Sequence, residues 1–174
     1  MLICFRYLVF ICGMICLCHF NAMPQSQFRS IVIPSLDSLL ITANLYETNP
    51  NAHCIVLCHQ AGYRRGEYLG TAILLKDLGY NCLAIDQRSG ANVNDVPNET
   101  SNNAREKGLS TEYADAAKDI SASIDYCFIK YGKPITLLGS SYSASLALIL
   151  AVNNPKVARV VAFSPGECLK DRII

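Results

Sequence analysis

Short, uninterrupted apolar runs alternate with longer segments of helical pattern through most of this 174-residue chain. The runs are HCIVLCH (53–59), NCLAID (81–86), PITLLGS (134–140) and KVARVVAFSP (156–165). An apolar run of this length without polar alternation is typical of a strand buried on both faces, as in parallel sheets. Strands that alternate with helices build βαβ units. The alternation therefore predicts an α/β domain with a mostly parallel sheet and helices on both faces.

The segments between these runs have the pattern and the end signals of helices. They are EYLGTAILLKDLG (67–79), STEYADAAKDISASIDYCFIKYG (110–132) and YSASLALILAVNN (142–154). Gly79 and Gly132 are placed to end the first two, and Ser110 and Thr111 are candidate N-caps of the second. The third segment is apolar almost all round, which predicts that it is largely buried.

Two further segments complete the layout. Residues 30–48 hold two β-prone runs around Ser35–Ser38, which predicts an N-terminal antiparallel hairpin with Asp37 and Ser38 in its turn. A polar stretch, 87–110, is long for a connection inside a compact domain, and we expect it to be either functional or mobile.

The first 24 residues are separate in character. Arg6 precedes an apolar run and a polar exit follows it, the layout of a secretory signal peptide. The run is short for a bilayer span, and the alternative is an apolar N-terminal anchor that stays attached. Both alternatives predict an exported protein that is periplasmic, secreted or membrane-anchored, with residues 25–174 as the part of the chain that folds.

Composition limits the classes of function. The formal net charge is +1 with no basic cluster, so nucleic acid is not expected as a partner. We find no metal-ligand spacing and no phosphate-cradling glycine loop, and we predict no metal and no cofactor. The five cysteines beyond the leader show no regular spacing and are interpreted as small buried hydrophobes.

The stretch LLGSSYSASLAL (137–148) joins the third apolar run to the third helical segment. Gly139-Ser140-Ser141-Tyr142-Ser143 has small residues two before and two after Ser141. A sharp strand-to-helix turn with a nucleophilic serine at its tip requires this spacing. The helix that begins at Tyr142 would direct its positive end at a developing oxyanion. The alternative is a packing turn with no chemistry.

Two other stretches favour the nucleophile turn over the packing turn. HQAG (59–62) resembles the oxyanion loop after the third strand of the α/β-hydrolase superfamily, and IDQRSG (85–90) resembles its Asp-x-Arg-x-Gly turn after the fourth strand. Together with the strand-to-helix turn at Ser141, here called the elbow, these stretches follow the superfamily's order over residues 30–167, which corresponds to the first two thirds of that fold. The chain is most similar to the small esterase-like and dienelactone-hydrolase-like members.

The resemblance implies roles for individual residues. Ser141 would be the nucleophile for a small acyl-type substrate, and Tyr142 would donate its backbone N–H to the oxyanion. The second donor would be Ala61 or, failing that, Gln60, which stands where glycine is usual. His59 would order the oxyanion loop, and Asp86 with Arg88 would hold the turn after the fourth strand. We interpret Arg64 and Arg65 as part of a solvated loop. The alternative is that they attract an anionic substrate.

The acid and the base that would act with Ser141 are difficult to identify in this sequence. In the resembled superfamily the acid and then the histidine follow the nucleophile. No histidine follows Ser141 here, and Glu167 is the candidate acid, with Asp171 behind it. We expect an incomplete α/β-hydrolase fold, truncated after the sixth strand, and little or no activity of this chain alone. The alternatives are a non-catalytic binding protein, associating through the open sheet edge, and a decayed pseudo-enzyme.

Overall fold

A computed structural model describes residues 27–92 and 97–166. They form a six-stranded sheet in the order β1-β2-β4-β3-β5-β6. The strands are β1 Arg29–Pro34, β2 Leu40–Tyr46, β3 Cys54–Cys58, β4 Asn81–Ile85, β5 Ile135–Ser140 and β6 Val157–Phe163. The α-helices are α1 Leu69–Asp77, α2 Glu99–Glu106, α3 Ala116–Tyr131 and α4 Tyr142–Ala151.

The N-terminal hairpin is confirmed. β1 and β2 pair antiparallel from Arg29 opposite Leu45 to Pro34 opposite Leu40. The N–H of Ser35 donates to the carbonyl of Leu39 at 2.7 Å and closes the turn, in which Ser38 has a φ of 64°. β2 also runs antiparallel to β4 and so joins the hairpin to the rest of the sheet.

The remaining strand pairs are parallel, which confirms the predicted fold class. α3 and α4 cover one face of the sheet and α1 covers the other. Side chains of β3, β4 and β5 alternate between these two layers, so the strands are buried on both faces as their continuous apolar runs predict. Cys54, Cys58, Cys82 and Cys127 are free and buried in these layers.

The polar stretch after β4 contains a helix that the sequence pattern did not predict. α2 begins after Asn98, whose side chain accepts from the N–H of Ser101 at 2.9 Å, and so has a standard N-cap. It packs on β2 through small polar residues rather than through an apolar stripe. The hydroxyl of Thr100 accepts from the N–H of Thr42 at 2.9 Å, and Ala104 is fully buried.

Two other expectations need correction. α3 begins at Ala116, and neither Ser110 nor Thr111 caps it, because Tyr113–Asp115 forms a 3-10 turn ahead of it. α4 buries only its inner side, and Leu148 is 46 % exposed. β6 is a strand as expected; it pairs with β5 alone among the described strands, and its Phe163 is 56 % exposed. Gly132 does end α3, with a φ of 65°.

No helix within residues 27–92 and 97–166 is long and apolar enough to cross a membrane. The predicted leader, 1–24, lies outside the described residues, so export stays a prediction.

Candidate active site

Ser141 occupies the single residue between the end of β5 and the start of α4. Its backbone has a φ of 56° and a ψ of −124°, a region that residues with a Cβ seldom adopt. Such a conformation costs about 1–3 kcal/mol and persists only where the surroundings enforce it. The N–H of Ser141 donates to the carbonyl of Phe163 at 2.9 Å, and its carbonyl accepts from the N–H of Ala144 at 3.0 Å. Both neighbouring elements therefore hold this turn.

The small residues on either side of Ser141 are required by close backbone packing. A Cβ on Gly139 would lie 2.5 Å from the carbonyl oxygen of Ser143 and 2.7 Å from the nitrogen of Ala144. Ser143 is fully buried, and its hydroxyl accepts from the N–H of Ser140 at 2.9 Å and lies 2.8 Å from the carbonyl of Cys58. Ser143 thus ties the elbow to β3, and its hydroxyl is already engaged.

The first candidate donor to an oxyanion lies at the start of α4. Tyr142 is the first residue of this helix, so its N–H has no partner within the helix. No acceptor among residues 27–92 and 97–166 is bonded to it. The partial positive charge at the N-terminus of α4 also favours a negatively charged group beside this N–H. The N–H of Tyr142 is therefore available to a ligand.

Hydrogen bonding in the loop after β3 distinguishes Gln60 from Ala61, the two candidates for the second donor. The backbone N–H of Gln60 donates to Oε2 of Glu67 at 2.8 Å, which takes it out of consideration. No acceptor within the described residues is bonded to the N–H of Ala61. Gly62 follows with a φ of 73°, and the N–H of Tyr63 closes the turn on the carbonyl of Gln60 at 3.2 Å. Of the two candidates, only Ala61 keeps an N–H that has no acceptor among the described residues. Glu67 holds the loop through the N–H of Gln60, and sequence reasoning missed it.

His59 is fully buried and holds this loop against the next one. Its Nε2 accepts from the backbone N–H of Gln87 at 2.9 Å, so the proton lies on Nδ1, which donates to the carbonyl of Gln60 at 2.8 Å. Burial lowers the pKa of His59 to about 4, and the Gln60 carbonyl opposes this only in part. Both ring nitrogens are engaged in the neutral form, which fits the predicted ordering of the loop.

The side chain of Tyr142 lies below the elbow and is fully buried. Its hydroxyl accepts from Nε2 of Gln87 at 2.6 Å and from Oγ of Ser89 at 2.5 Å. The ring stacks on that of Tyr113, with 4.5 Å between centroids. Burial raises the pKa of Tyr142 well above its usual value, so this phenol stays protonated. Gln87 and Ser89 of the loop after β4 therefore fix the side chain of Tyr142.

Asp86 and Arg88 do hold the turn after β4. They do not pair with one another, however, because each forms its ion pairs with other residues. Asp86 accepts from the backbone N–H and the guanidinium of Arg65. Arg88 is 1 % exposed and pairs with Asp119 of α3 at 2.8 Å and with Asp37 of the hairpin turn at 2.7 Å. Arg65 is thus the half-buried ion-pair partner of the buried Asp86 and not part of a solvated loop. Nothing local in the sequence signals Asp119, which lies 31 residues from Arg88.

The turn also needs its glycine. A Cβ on Gly90 would lie 2.1 Å from Nδ2 of Asn98 and 2.3 Å from the carbonyl of Tyr63. The loops after β3 and β4 therefore meet directly above the sheet.

No histidine or carboxylate among the described residues is hydrogen-bonded to the hydroxyl of Ser141. The other described histidine, His53, directly precedes β3, at the end of this strand away from His59, and is bonded to Thr136 at 2.9 Å. Glu167, the candidate acid, lies outside the described residues. No group of three or more His, Cys, Asp or Glu side chains in the described part of the chain could hold a metal ion.

Neither a protein-family model nor a curated protein sequence matches the chain. Solved structures do. An esterase of Pyrococcus furiosus superposes with a TM-score of 0.60 at 17 % identity, over 79 % of this chain and 52 % of that one. A dienelactone hydrolase of Anabaena variabilis superposes with a TM-score of 0.55 at 19 % identity, over 77 % of this chain and 62 % of that one.

A carboxyl esterase of Bacillus coagulans gives a TM-score of 0.59 at 15 % identity, over 76 % of this chain and 43 % of that one. This chain therefore spans about half the length of the structures it matches. At these identities the likeness concerns the fold. The elbow, the sheet order and these superpositions together show that the chain has an α/β-hydrolase-like fold.

Proposed function

We propose that this chain carries the nucleophile half of a serine hydrolase that acts on a carboxylic ester or a related acyl compound. The observation that supports this most is the backbone of Ser141, with a φ of 56° and a ψ of −124°, directly before an N–H that has no acceptor among the described residues. A packing turn has no need of a strained serine at this point. The structural neighbours, named as esterases and as a dienelactone hydrolase, favour acyl transfer to water.

The proposed chemistry follows from the groups at the elbow. The oxygen of Ser141 attacks the carbonyl carbon, the C=O π bond opens, and its electron pair moves to the oxygen. The N–H groups of Tyr142 and Ala61 donate to that oxyanion, and removal of one such donor typically costs about 10²–10³ in turnover. Collapse of the tetrahedral intermediate expels the alcohol and leaves an acyl group on Ser141, which water then removes.

The proton of Ser141 needs an acceptor, and the described residues do not supply one. His59 is unsuited because Nε2 already accepts and Nδ1 already donates. We infer that the base is a group outside the described residues. A serine hydroxyl without its base retains only the roughly 10³–10⁴-fold effect of the oxyanion hole and binding.

One observation favours a second candidate. Because no base contacts Ser141 among the described residues, the same elbow is also compatible with a non-catalytic binding protein of this fold. The two candidates differ in one property, the reactivity of the Ser141 hydroxyl towards an acylating or phosphonylating reagent.

Labelling of the full chain with a fluorophosphonate tests this property. We expect slow, stoichiometric labelling that Ser141→Ala abolishes. Ser140→Ala is the matched control, because it removes the adjacent hydroxyl, and it should label like the wild type. Absence of labelling in protein shown to be folded by circular dichroism would overturn the catalytic proposal and support the binding protein.

Chemical rescue separates a missing base from a dead nucleophile. Imidazole should accelerate hydrolysis of 4-nitrophenyl acetate by the wild type beyond its own background rate, which Ser141→Ala reports. Equal rates for the two proteins at every imidazole concentration would contradict a nucleophilic role for Ser141.

A further inference from the structure

A cavity of about 310 Å³ lies away from the elbow, where the hairpin meets the chain just before α1. Its walls include Phe28, Ser30, Asn44, Arg64, Gly66 and Leu69. The Phe28 ring packs on Tyr46, with 5.2 Å between centroids, and Leu69 is the first residue of α1. The volume is at the small end of the roughly 300–1,000 Å³ found for ligand pockets. The cavity thus has room for a small molecule, with apolar contacts from Phe28 and Leu69 and polar or charged side chains around the rest.

The charge around this cavity is unbalanced. Two guanidinium groups line it, those of Arg64 and Arg65. Arg65 is neutralised by the buried carboxylate of Asp86, and its Nε donates to Oδ1 of Asn44 at 3.2 Å. No carboxylate within residues 27–92 and 97–166 forms an ion pair with Arg64. One positive charge at the cavity therefore has no counter-charge in the described part of the chain.

The guanidinium of Arg64 is also placed rather than free in solvent. Its Nε is buried and has no hydrogen-bond acceptor among the described residues, which is costly for a buried donor. A Cβ built on Gly66 would lie 3.0 Å from Cζ and 3.2 Å from each Nη of Arg64. Because these three distances are nearly equal, the flat face of the guanidinium lies over Gly66. The N–H groups at the edge of the guanidinium remain available to a ligand, since no described residue accepts from them.

We propose that this cavity is a binding site for a monocarboxylate on a short apolar stem. The carboxylate accepts from the edge of the Arg64 guanidinium, whose planar fork matches two carboxylate oxygens. The stem packs between Phe28 and Leu69. The site is independent of the acyl chemistry proposed at Ser141, since it uses none of the elbow residues.

Binding of hexanoate to the full chain, followed by titration calorimetry or by NMR, tests the proposal. We expect saturable binding that weakens at least about ten-fold in Arg64→Gln, which corresponds to about 1.4 kcal/mol. Gly66→Ala should weaken it similarly, because its Cβ displaces the guanidinium. Gly66 has no left-handed φ, so this variant should fold normally.

Two control variants and two control compounds keep the outcome decisive. Arg159→Gln removes an exposed arginine on β6 and should bind hexanoate like the wild type. Ser141→Ala should also bind normally, which separates this site from the elbow. Hexanol and inorganic phosphate should each bind at least about ten-fold more weakly. Equal binding by Arg64→Gln, equal binding of hexanol or phosphate, or no saturable binding of hexanoate would overturn the assignment.

Discussion

Replacement of Gly139 by alanine tests whether the elbow is held by close contact between β5 and α4. The added Cβ would lie 2.5 Å from the carbonyl oxygen of Ser143, 2.6 Å from its carbon and 2.7 Å from the nitrogen of Ala144. All three are backbone atoms in the first turn of α4, and Ser143 is itself anchored to Cys58 through its hydroxyl. No flexible side chain can move aside, so the helix must shift away from the strand.

The expected cost follows from these contacts. Overpacking of a well-packed interior costs typically about 1–3 kcal/mol. Contact with three fixed backbone atoms places Gly139→Ala at the upper end of that range. Alanine also lowers the conformational entropy of the unfolded chain, which returns about 0.4–1 kcal/mol. We therefore expect a net loss of about 2–3 kcal/mol in the free energy of unfolding.

Gly70→Ala is the matched control, because it adds the same methyl group in α1. No atom lies within 4 Å of the Cβ position at Gly70. Alanine in place of glycine inside a helix stabilises by about 0.5–1 kcal/mol. The two substitutions should therefore change the free energy of unfolding in opposite directions.

Urea unfolding followed by circular dichroism measures both changes, as shifts of the midpoint at a constant slope. Labelling by a fluorophosphonate gives a second readout, since a displaced α4 moves the N–H of Tyr142 away from Ser141. A loss of less than about 0.5 kcal/mol for Gly139→Ala, within the ordinary scatter for surface substitutions, would refute the argument. It would mean that the elbow has room that the distances do not allow.

Two further predictions concern the same loops. Ser141→Gly should be more stable than Ser141→Ala by about 1 kcal/mol in urea unfolding, because both lack the hydroxyl but only glycine tolerates a φ of 56°; equal stability would argue against strain at this residue. Burial lowers the pKa of His59 to about 4 in the folded chain. The unfolded chain therefore binds the additional proton between about pH 6.5 and 4, and stability should fall by up to roughly 3 kcal/mol as the pH falls through that window. His59→Gln cannot titrate, so its stability should depend less on pH over that window, and parallel curves would contradict the buried neutral state.

The parts of the fold that the sequence could predict are those with a local signal. β3, β4 and β5 have continuous apolar runs because both of their faces are covered, and the hairpin has its turn at Ser35–Leu39. α2 has no such signal. It is polar along its length and packs through Thr100, Ser101 and Ala104, so no apolar periodicity marks it. Its N-cap, Asn98, was the one local sign available.

The buried ion pairs lay beyond sequence reasoning for a different reason. Arg88 pairs with residues 51 positions before it and 31 after it, and only the packing of α3 against the hairpin turn brings them together. The motif around Asp86 suggested a pair with Arg88, whereas Arg65 is the partner that the fold places there. A charge motif read along one turn predicts that its members are held, but not by which residues.

The elbow shows where sequence and structure contribute different parts of one argument. Small residues around Ser141 permit a sharp turn, yet equally small residues occur in turns that carry no reactive side chain. What separates the two is the backbone. Glycine at position 141 would have adopted a φ of 56° without strain, and the fold instead holds a residue with a Cβ there. A packing turn gains nothing from this cost, whereas a nucleophile gains a hydroxyl fixed beside the N–H of Tyr142, which has no acceptor in the described part of the chain. The strain at Ser141 is therefore the strongest physical reason to test this residue for acyl chemistry before any other.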